Sequence, residues 1–401
     1  MVKYRCERCG KEFSQKSHND SHNRRKTPCE NNADKIKQMV DKAVEEKLKE
    51  LNNKNLIVKN IIKTDNKMSD TTTKQKNKIK KSKKLDIIND KLKVASMFAG
   101  CGGLDFAFHK QSNKFDVVYV NDFDQDSCNT YENYYKHKPV CEDITKITTI
   151  PDCDILTGGF PCQGFSVANL YRKETDNRNK LYLELVRLLK LKTPKYFIFE
   201  NVKGILSLGG YENAENKKNK TGKVFKMIVS DLKKCGYNVH TKLFKIKWYD
   251  IPQNRERVIF IGIRNDIAKN ITFNWPEEKQ VITKTLKDAI SNLPLNYDEK
   301  IQHIGTKHKV KITGYMGNRK LEWDKISPTI TGRGGGGGGP VINVHPSGKR
   351  RMTVREYARI QTFPDDFMFK GSISSMYRQI GNAVPPKFSF VLADLIVHLN
   401  N

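Results

Sequence analysis

One cysteine is set out for chemistry in the run Thr157-Gly158-Gly159-Phe160-Pro161-Cys162-Gln163-Gly164-Phe165-Ser166. Asp154-Ile155-Leu156 precedes it, and glycine and proline bracket it, which places Cys162 on a loop just past a strand. Phe197-Ile198-Phe199-Glu200-Asn201-Val202 reads as a second hydrophobic strand, and it delivers a glutamate. A thiolate is a soft nucleophile, and a carboxyl can donate or hold a proton. Two strand ends of one sheet that carry this pair have what covalent attack on a pyrimidine ring requires. Asp250-Ile251-Pro252-Gln253-Asn254-Arg255-Glu256-Arg257 adds the guanidinium groups of Arg255 and Arg257.

The elements that must hold these groups alternate along the chain. Leu92–Phe98, Asp116–Asn121, Asp154–Thr157, Tyr196–Glu200 and Val258–Ile263 read as short apolar strands. Leu104–His109, Gln125–Tyr135, Lys180–Leu191 and Lys223–Cys235 read as helices. Such alternation predicts an α/β fold with a doubly wound sheet. The first strand runs into Met97-Phe98-Ala99-Gly100-Cys101-Gly102-Gly103-Leu104, whose glycines permit a tight turn and a close approach to a ligand. Dinucleotide enzymes use similar loops, so the loop alone is weak evidence. The second strand ends at Asn121-Asp122-Phe123, where a carboxylate can take both hydroxyls of a ribose. Glu142-Asp143-Ile144 offers a further carboxylate, suited to an adenine amino group.

These motifs, from Lys93 to the C-terminus, resemble those of the bacterial-type DNA (cytosine-5) methyltransferases. The resemblance implies a Rossmann-like, doubly wound S-adenosylmethionine-dependent methyltransferase fold with a smaller inserted target-recognition domain. It implies methylation of cytosine C5 in a specific sequence of double-stranded DNA. By that match Ala99, Gly103 and Leu104 line the methionine end of S-adenosylmethionine. Asp122 holds the ribose, where the family more often has Glu. Phe123 lies against the adenine, and Asp143 takes its edge. Phe98, Gly100 and Ile144 complete that side, and Asn382 and Val384 touch the cofactor from the C-terminal end. Cytosine C5 is a poor nucleophile until a thiolate adds at C6, and Cys162 is the expected nucleophile. Electron density then flows to N3, where Glu200 is the expected acid. Arg255 and Arg257 would bind the base O2, the phosphate and the catalytic loop. A base inside a duplex is out of reach, so the target nucleotide must be extruded. Asp176-Asn177-Arg178-Asn179-Lys180-Leu181 matches a further motif, with Asn179 in place of a frequent glycine.

The same resemblance divides the chain. Residues 92–267 form the catalytic domain, 268–350 the target-recognition region, and 351–401 the motifs that return to the catalytic domain. The run Gly334–Gly339 is either a flexible loop or backbone lying close to DNA. Two rival readings stay open. One is a tRNA-directed cytosine methyltransferase, although the Cys-Phe-Thr signature of that branch is absent. The other is a non-catalytic DNA-binding regulator, which loss of Cys162 or Glu200 would have favoured.

Composition fits a polyanion partner. The net charge is +29, and residues 1–90 carry 24 basic and 13 acidic side chains against 49 and 31 in the remainder. The positive field is thus distributed, which favours phosphate neutralisation, although Lys-rich composition throughout gives the same balance. Nine cysteines with no disulfide-like spacing, and no signal peptide, point to a reducing, intracellular compartment and a soluble protein of cytoplasm or nucleus. No apolar run approaches the ~20 residues of a membrane span. A cognate restriction endonuclease is a further partner that the family suggests, and the chain is expected to act as a monomer.

Residues 1–30, with Cys6, Cys9, His22 and Cys29, read as a zinc-finger-like module and resemble short fingers attached to proteins of large DNA viruses. Cys6, Cys9, His22 and Cys29 have the spacing of a Zn²⁺ site, with Cys6, Cys9, His18 and His22 as the competing set. So small a module has little core without its metal. Residues 31–51 read as a helix, with an apolar stripe over Ile36, Met39, Val40, Ala43, Val44, Leu48 and Leu51. Residues 52–91 read as a disordered basic linker.

Overall fold

The computed structural model describes residues 4–5, 12–13, 91–161, 181–306, 310, 312, 319–332 and 343–401. The chain divides into two units, Met1–Ile87 and Ile88–Asn401. In the first, strands β1 (Tyr4–Arg5) and β2 (Glu12–Phe13) pair antiparallel, with Arg5 opposite Glu12. Cys6, Cys9, His18, His22 and Cys29, the helix expected over 31–51 and the linker to residue 90 lie outside the described residues. So do Cys162 and the run of six glycines from residue 334.

The second unit carries strands β3 (Leu92–Met97), β4 (Phe115–Asp122), β5 (Val140–Cys141), β6 (Ile155–Gly158), β7 (Tyr196–Val202) and β8 (Tyr237–Lys245). β9 (Gln253–Asn254), β10 (Glu256–Arg264) and β11 (Ser327–Pro328) follow. All but β9 and β11 join one seven-stranded sheet in the order β5-β4-β3-β6-β7-β10-β8. β3 to β7 run parallel, and β10 lies antiparallel between β7 and β8. β9 pairs in parallel with β11 instead. The sheet grows outward from β3 in both directions, to β4 on one side and β6 on the other. Chain connections leave opposite ways at such a switch point, which opens a crevice at the carboxyl ends of the strands.

The main helices are α1 (Phe106–Lys110), α2 (Gln125–Tyr135), α3 (Tyr182–Lys192), α4 (Lys223–Lys234), α5 (Leu286–Ile290), α6 (Val354–Ile360), α7 (Ile373–Asn382) and α8 (Pro386–Asn400). α1 and α8 cover one face of the sheet, where Phe108, Phe388 and Leu392 meet Val94, Ile198 and Ile261. α3 and α4 cover the other, where Leu185, Leu189 and Ile228 meet Ala95, Phe197 and Phe260. A third core joins Leu286, Ile290, Leu321 and Ile330 to Tyr357, Ile360 and Tyr377. α6 opens on a capping box, in which the Glu356 carboxylate accepts from Thr353 N–H at 2.8 Å and the Thr353 hydroxyl accepts from Glu356 N–H at 3.2 Å. Ile373–Asn400 is long and apolar enough to cross a membrane, but it consists of α7 and α8, and both pack into these cores.

β7 and β10 are apolar without alternation because the sheet is covered on both faces there. Each fully buried Ile or Phe contributes about 1.5–3 kcal/mol, so the register of this pair is strongly fixed. A slip of one residue would send every side chain to the opposite face. That register sets Glu200 opposite Ile259 and Val202 opposite Arg257. Sequence reading missed β8, an edge strand whose Asn238, His240 and Lys242 break the apolar pattern. It placed α2 at its observed bounds.

Candidate active site

The loop after β3 is shaped by its glycines. Gly100 and Gly102 have φ of +57° and +87°, a region that disfavours side chains. Gly103 is needed for another reason: a Cβ there would collide with the main-chain carbonyl of Val384. The loop thus packs directly on the segment that follows α7. Asp122, at the end of β4, grips the loop. Its Oδ2 accepts the Gly100 N–H at 2.7 Å, and its Oδ1 accepts the Asp124 N–H at 2.9 Å. Burial pushes the Asp122 carboxyl up from the ordinary range, and these N–H groups oppose that shift. Each oxygen retains a lone pair for a hydroxyl. Phe123 beside it is 71% exposed, an uncovered flat ring at the rim.

A carboxylate sits beneath the same loop. Asp105 is fully buried and accepts hydrogen bonds from the Ser96 hydroxyl at 2.8 Å and the Tyr131 hydroxyl at 3.0 Å. Burial pushes the Asp105 carboxyl up to about 6. Tyr131 gives its only proton to Asp105, so His109 Nε2, 2.8 Å from that hydroxyl, must be the donor. Burial holds His109 down to about 4, which keeps it neutral. Sequence reading missed this brace, because its members come from a strand, a loop and two helices.

The second set of groups lies at the ends of β6, β7 and β10. Arg257 Nε approaches Glu200 Oε1 at 2.5 Å, and both side chains are about nine-tenths buried at 10% and 11% exposure. Glu200 Oε2 faces Gly159, where a Cβ would stand 3.3 Å from it. Asn201 Nδ2 donates to the Phe160 carbonyl at 3.3 Å. The residue after the glutamate thereby holds the loop that runs through Pro161 towards Cys162.

Both sets face one cleft of about 420 Å³. Phe98, Ala99, Gly100, Gly103, Leu104, Asp122 and Phe123 line one wall, and Asn382 and Val384 close it from the C-terminal side. Gly159, Phe160, Pro161, Glu200 and Arg257 line the other end. Three expected residues are not among those that line this cleft. Asp143 accepts from the Thr145 N–H and hydroxyl at 2.9 and 2.8 Å, bonds that hold its carboxyl below the ordinary range. Ile144 is buried in the core beneath α3. Arg255 is buried and donates to the carbonyls of Ile330, Gly381 and Ala383 at 2.7, 2.9 and 2.9 Å. Its guanidinium joins the β9–β11 region to the end of α7 rather than lining the cleft. Among the described residues, no cluster of His, Cys, Asp and Glu could hold a metal ion.

The cleft's dimensions suit a nucleoside-sized ligand. The cradle above Gly103, the Asp122 carboxylate and the exposed Phe123 ring fit S-adenosylmethionine. The sheet order agrees with the doubly wound methyltransferase fold.

Comparison with known proteins agrees. The family model for the C-5 cytosine-specific DNA methylase matches residues 92–398. Type II methyltransferase M.NgoFVII of Neisseria gonorrhoeae is 34% identical over 346 residues, covering 78% of this chain and 88% of the relative. Type II methyltransferase M.Eco47II of Escherichia coli is 34% identical over 351 residues, covering 78% and 80%. In fold, the chain is similar to the S. pombe Dnmt2 methyltransferase, with a TM-score of 0.57 at 20% identity over 78% of this chain and 100% of that one.

Proposed function

The chain belongs to the C-5 cytosine-specific DNA methylase family, and we propose that it methylates cytosine C5 through a covalent bond from Cys162 to C6 of a base turned out of duplex DNA. It is a DNA (cytosine-5) methyltransferase that uses S-adenosylmethionine. One observation carries the mechanistic reading: Asp122, Gly103 and Val384 share a single cleft with Glu200, Arg257 and Pro161, the neighbour of Cys162. S-adenosylmethionine, when bound, supplies an electrophilic methyl group. Asp122 would hold its ribose and Phe123 its adenine.

Cys162 adds to C6 as the thiolate. Glu200, once it has taken up a proton with the bound base, donates to N3 as density builds there. After C5 accepts the methyl group, a base removes the C5 proton and the Cys162 thiolate is expelled, which restores the ring and frees the enzyme. Arg257 fixes the Glu200 carboxyl so that Oε2 points to the base. Arg255 acts as a positioning residue, through the carbonyls that it collects. Residues 268–350 supply target recognition. The Type II methyltransferases among its relatives support a modification role, with a cognate endonuclease as counterpart.

Zinc is proposed for the first unit. In sequence, Cys6 and Cys9 come after Tyr4–Arg5 and before Glu12–Phe13, and His22 and Cys29 complete a donor set suited to Zn²⁺. Elemental analysis of purified protein should give one zinc per chain, lost on Cys6→Ser. Metal-free protein with an unchanged spectrum would remove this part.

The central test is methyl transfer from labelled S-adenosylmethionine to unmethylated DNA, total tRNA and 5-fluorocytosine duplexes. Label in DNA and a trapped adduct on Cys162 are expected. Label confined to tRNA would overturn the DNA reading.

A further inference from the structure

Two helices line the cleft, α2 through Ser127 and α7 through Arg378, Gln379 and Asn382, and they are joined twice. The inner junction joins two buried side chains, Thr130 and Gln379, to the Lys370 main chain. The Thr130 hydroxyl of α2 donates to Gln379 Oε1 of α7 at 2.7 Å, and Gln379 Nε2 donates to the Lys370 carbonyl at 2.8 Å. The Lys370 N–H returns to the Thr130 hydroxyl at 2.8 Å, which closes the ring of bonds. The outer junction is an ion pair at the mouth. Arg378 of α7 holds both oxygens of Asp124, at 3.1 and 3.3 Å, with side chains 44% and 28% exposed. Both residues line the cleft. Asp124 is also tied to the ribose residue, since its N–H donates to Asp122 Oδ1.

These junctions differ in what they cost to open. Breaking the buried ring would strand polar groups away from water. An exposed ion pair is worth at most a factor of roughly five in an equilibrium constant, and salt screens it. The inner junction therefore stays shut while the outer one can part. We propose that Arg378 is a positioning residue whose pair with Asp124 latches the mouth of the cofactor cleft and slows exit of the spent cofactor. The latch rests on the reading of this cleft as the S-adenosylmethionine site. Phe123 stands next to the latch, and Asp124 keeps its bond from the Ser127 hydroxyl at 2.7 Å when the pair opens, so Arg378 is the side chain that parts.

The test is the release rate of tritiated S-adenosylhomocysteine from the full chain, chased with excess unlabelled compound. Arg378→Met and Asp124→Asn should each speed release by about two- to fivefold, and the double variant no further. Arg378→Lys keeps the charge and should restore most of the retention. Raising salt should speed release from the unaltered protein and leave the variants unmoved. Melting temperatures should hardly change, because the buried ring persists. Unchanged release rates in both single variants would overturn the latch. Faster release that tracks a lowered melting temperature, without rescue by lysine, would overturn it too and mark a structural bridge. Failure of the unaltered protein to bind S-adenosylhomocysteine would instead overturn the cofactor reading, and the latch with it.

Discussion

Arg257 reaches Glu200 diagonally across an antiparallel strand pair, Nε to Oε1 at 2.5 Å. The register explains it. Glu200 stands opposite Ile259, so Arg257, two positions back on β10, is its diagonal neighbour on the same face. The core residues that fix the β7–β10 register therefore also aim the carboxyl. Truncating the arginine would leave a buried carboxylate without its partner. Arg257→Met should lower stability by about 3 kcal/mol in urea denaturation. Arg257→Lys keeps a positive charge beside the carboxyl but loses the bond to the Glu256 carbonyl, and should fall between the two. Equal stability of all three proteins would show that the pair is open in solution.

Glu200→Gln replaces the carboxyl proposed to act at N3 by an amide of the same shape. It should slow single-turnover methyl transfer by on the order of a hundredfold or more. Affinity for S-adenosylhomocysteine should hold, because Asp122, Phe123 and the glycine loop are untouched. DNA binding that fell as far as the rate did would assign Glu200 to architecture rather than to chemistry.

Cys162→Ala should abolish both turnover and the adduct with 5-fluorocytosine DNA, and leave cofactor binding intact. An unchanged melting temperature would separate this loss from a folding defect. Retained turnover would dismiss Cys162 as the nucleophile.

Gly103 tests the union of the two halves. A methyl group at this position meets the Val384 carbonyl, which belongs to a backbone segment that cannot yield as a side chain would. Gly103→Ala should weaken S-adenosylhomocysteine binding by about tenfold or more, a loss of about 1.4 kcal/mol, with a lowered melting temperature. Unaltered affinity, read by calorimetry, would place the cofactor away from this contact.

Parts of this site were legible because their signals are local. Glycines at Gly100, Gly102 and Gly103 announce a turn, and apolar runs ending at Asp122 and Glu200 announce strand ends. The position of Asp122 at the end of β4 needed only its strand to be recognised. What stayed hidden depends on partners far along the chain. Nothing in the local pattern of Asp105 says that Tyr131 and His109 will close around it. Arg378 and Asp124 lie 254 residues apart and meet only once α7 lies against α2. Arg255 shows the opposite case, in which the motif was visible but its partners were not. A guanidinium reads from sequence as a ligand group, whereas here it donates to main-chain carbonyls of Ile330 and of the segment at the end of α7.

Asp105 makes stability depend on pH with a sign opposite to that of a salt-bridged carboxylate. Its folded value of about 6 lies above the ordinary 3.8, so the folded chain holds this proton more tightly than the unfolded one. Stability from this group is therefore present in full below 3.8, is lost as pH rises towards about 6, and stays lost above it. The full swing is about 3 kcal/mol. Asn at this position cannot titrate, and the flanking hydroxyls of Ser96 and Tyr131 can turn to suit its amide. The comparison to make is the stability of Asp105→Asn minus that of the unaltered protein, since other titrating groups then cancel. Between about pH 7.5 and about pH 5 that difference should move by about 1.4 kcal/mol in favour of the unaltered protein, read from urea midpoints. A difference that held constant across this range would mean that Asp105 titrates at its ordinary value, and that water reaches the floor of the loop after β3.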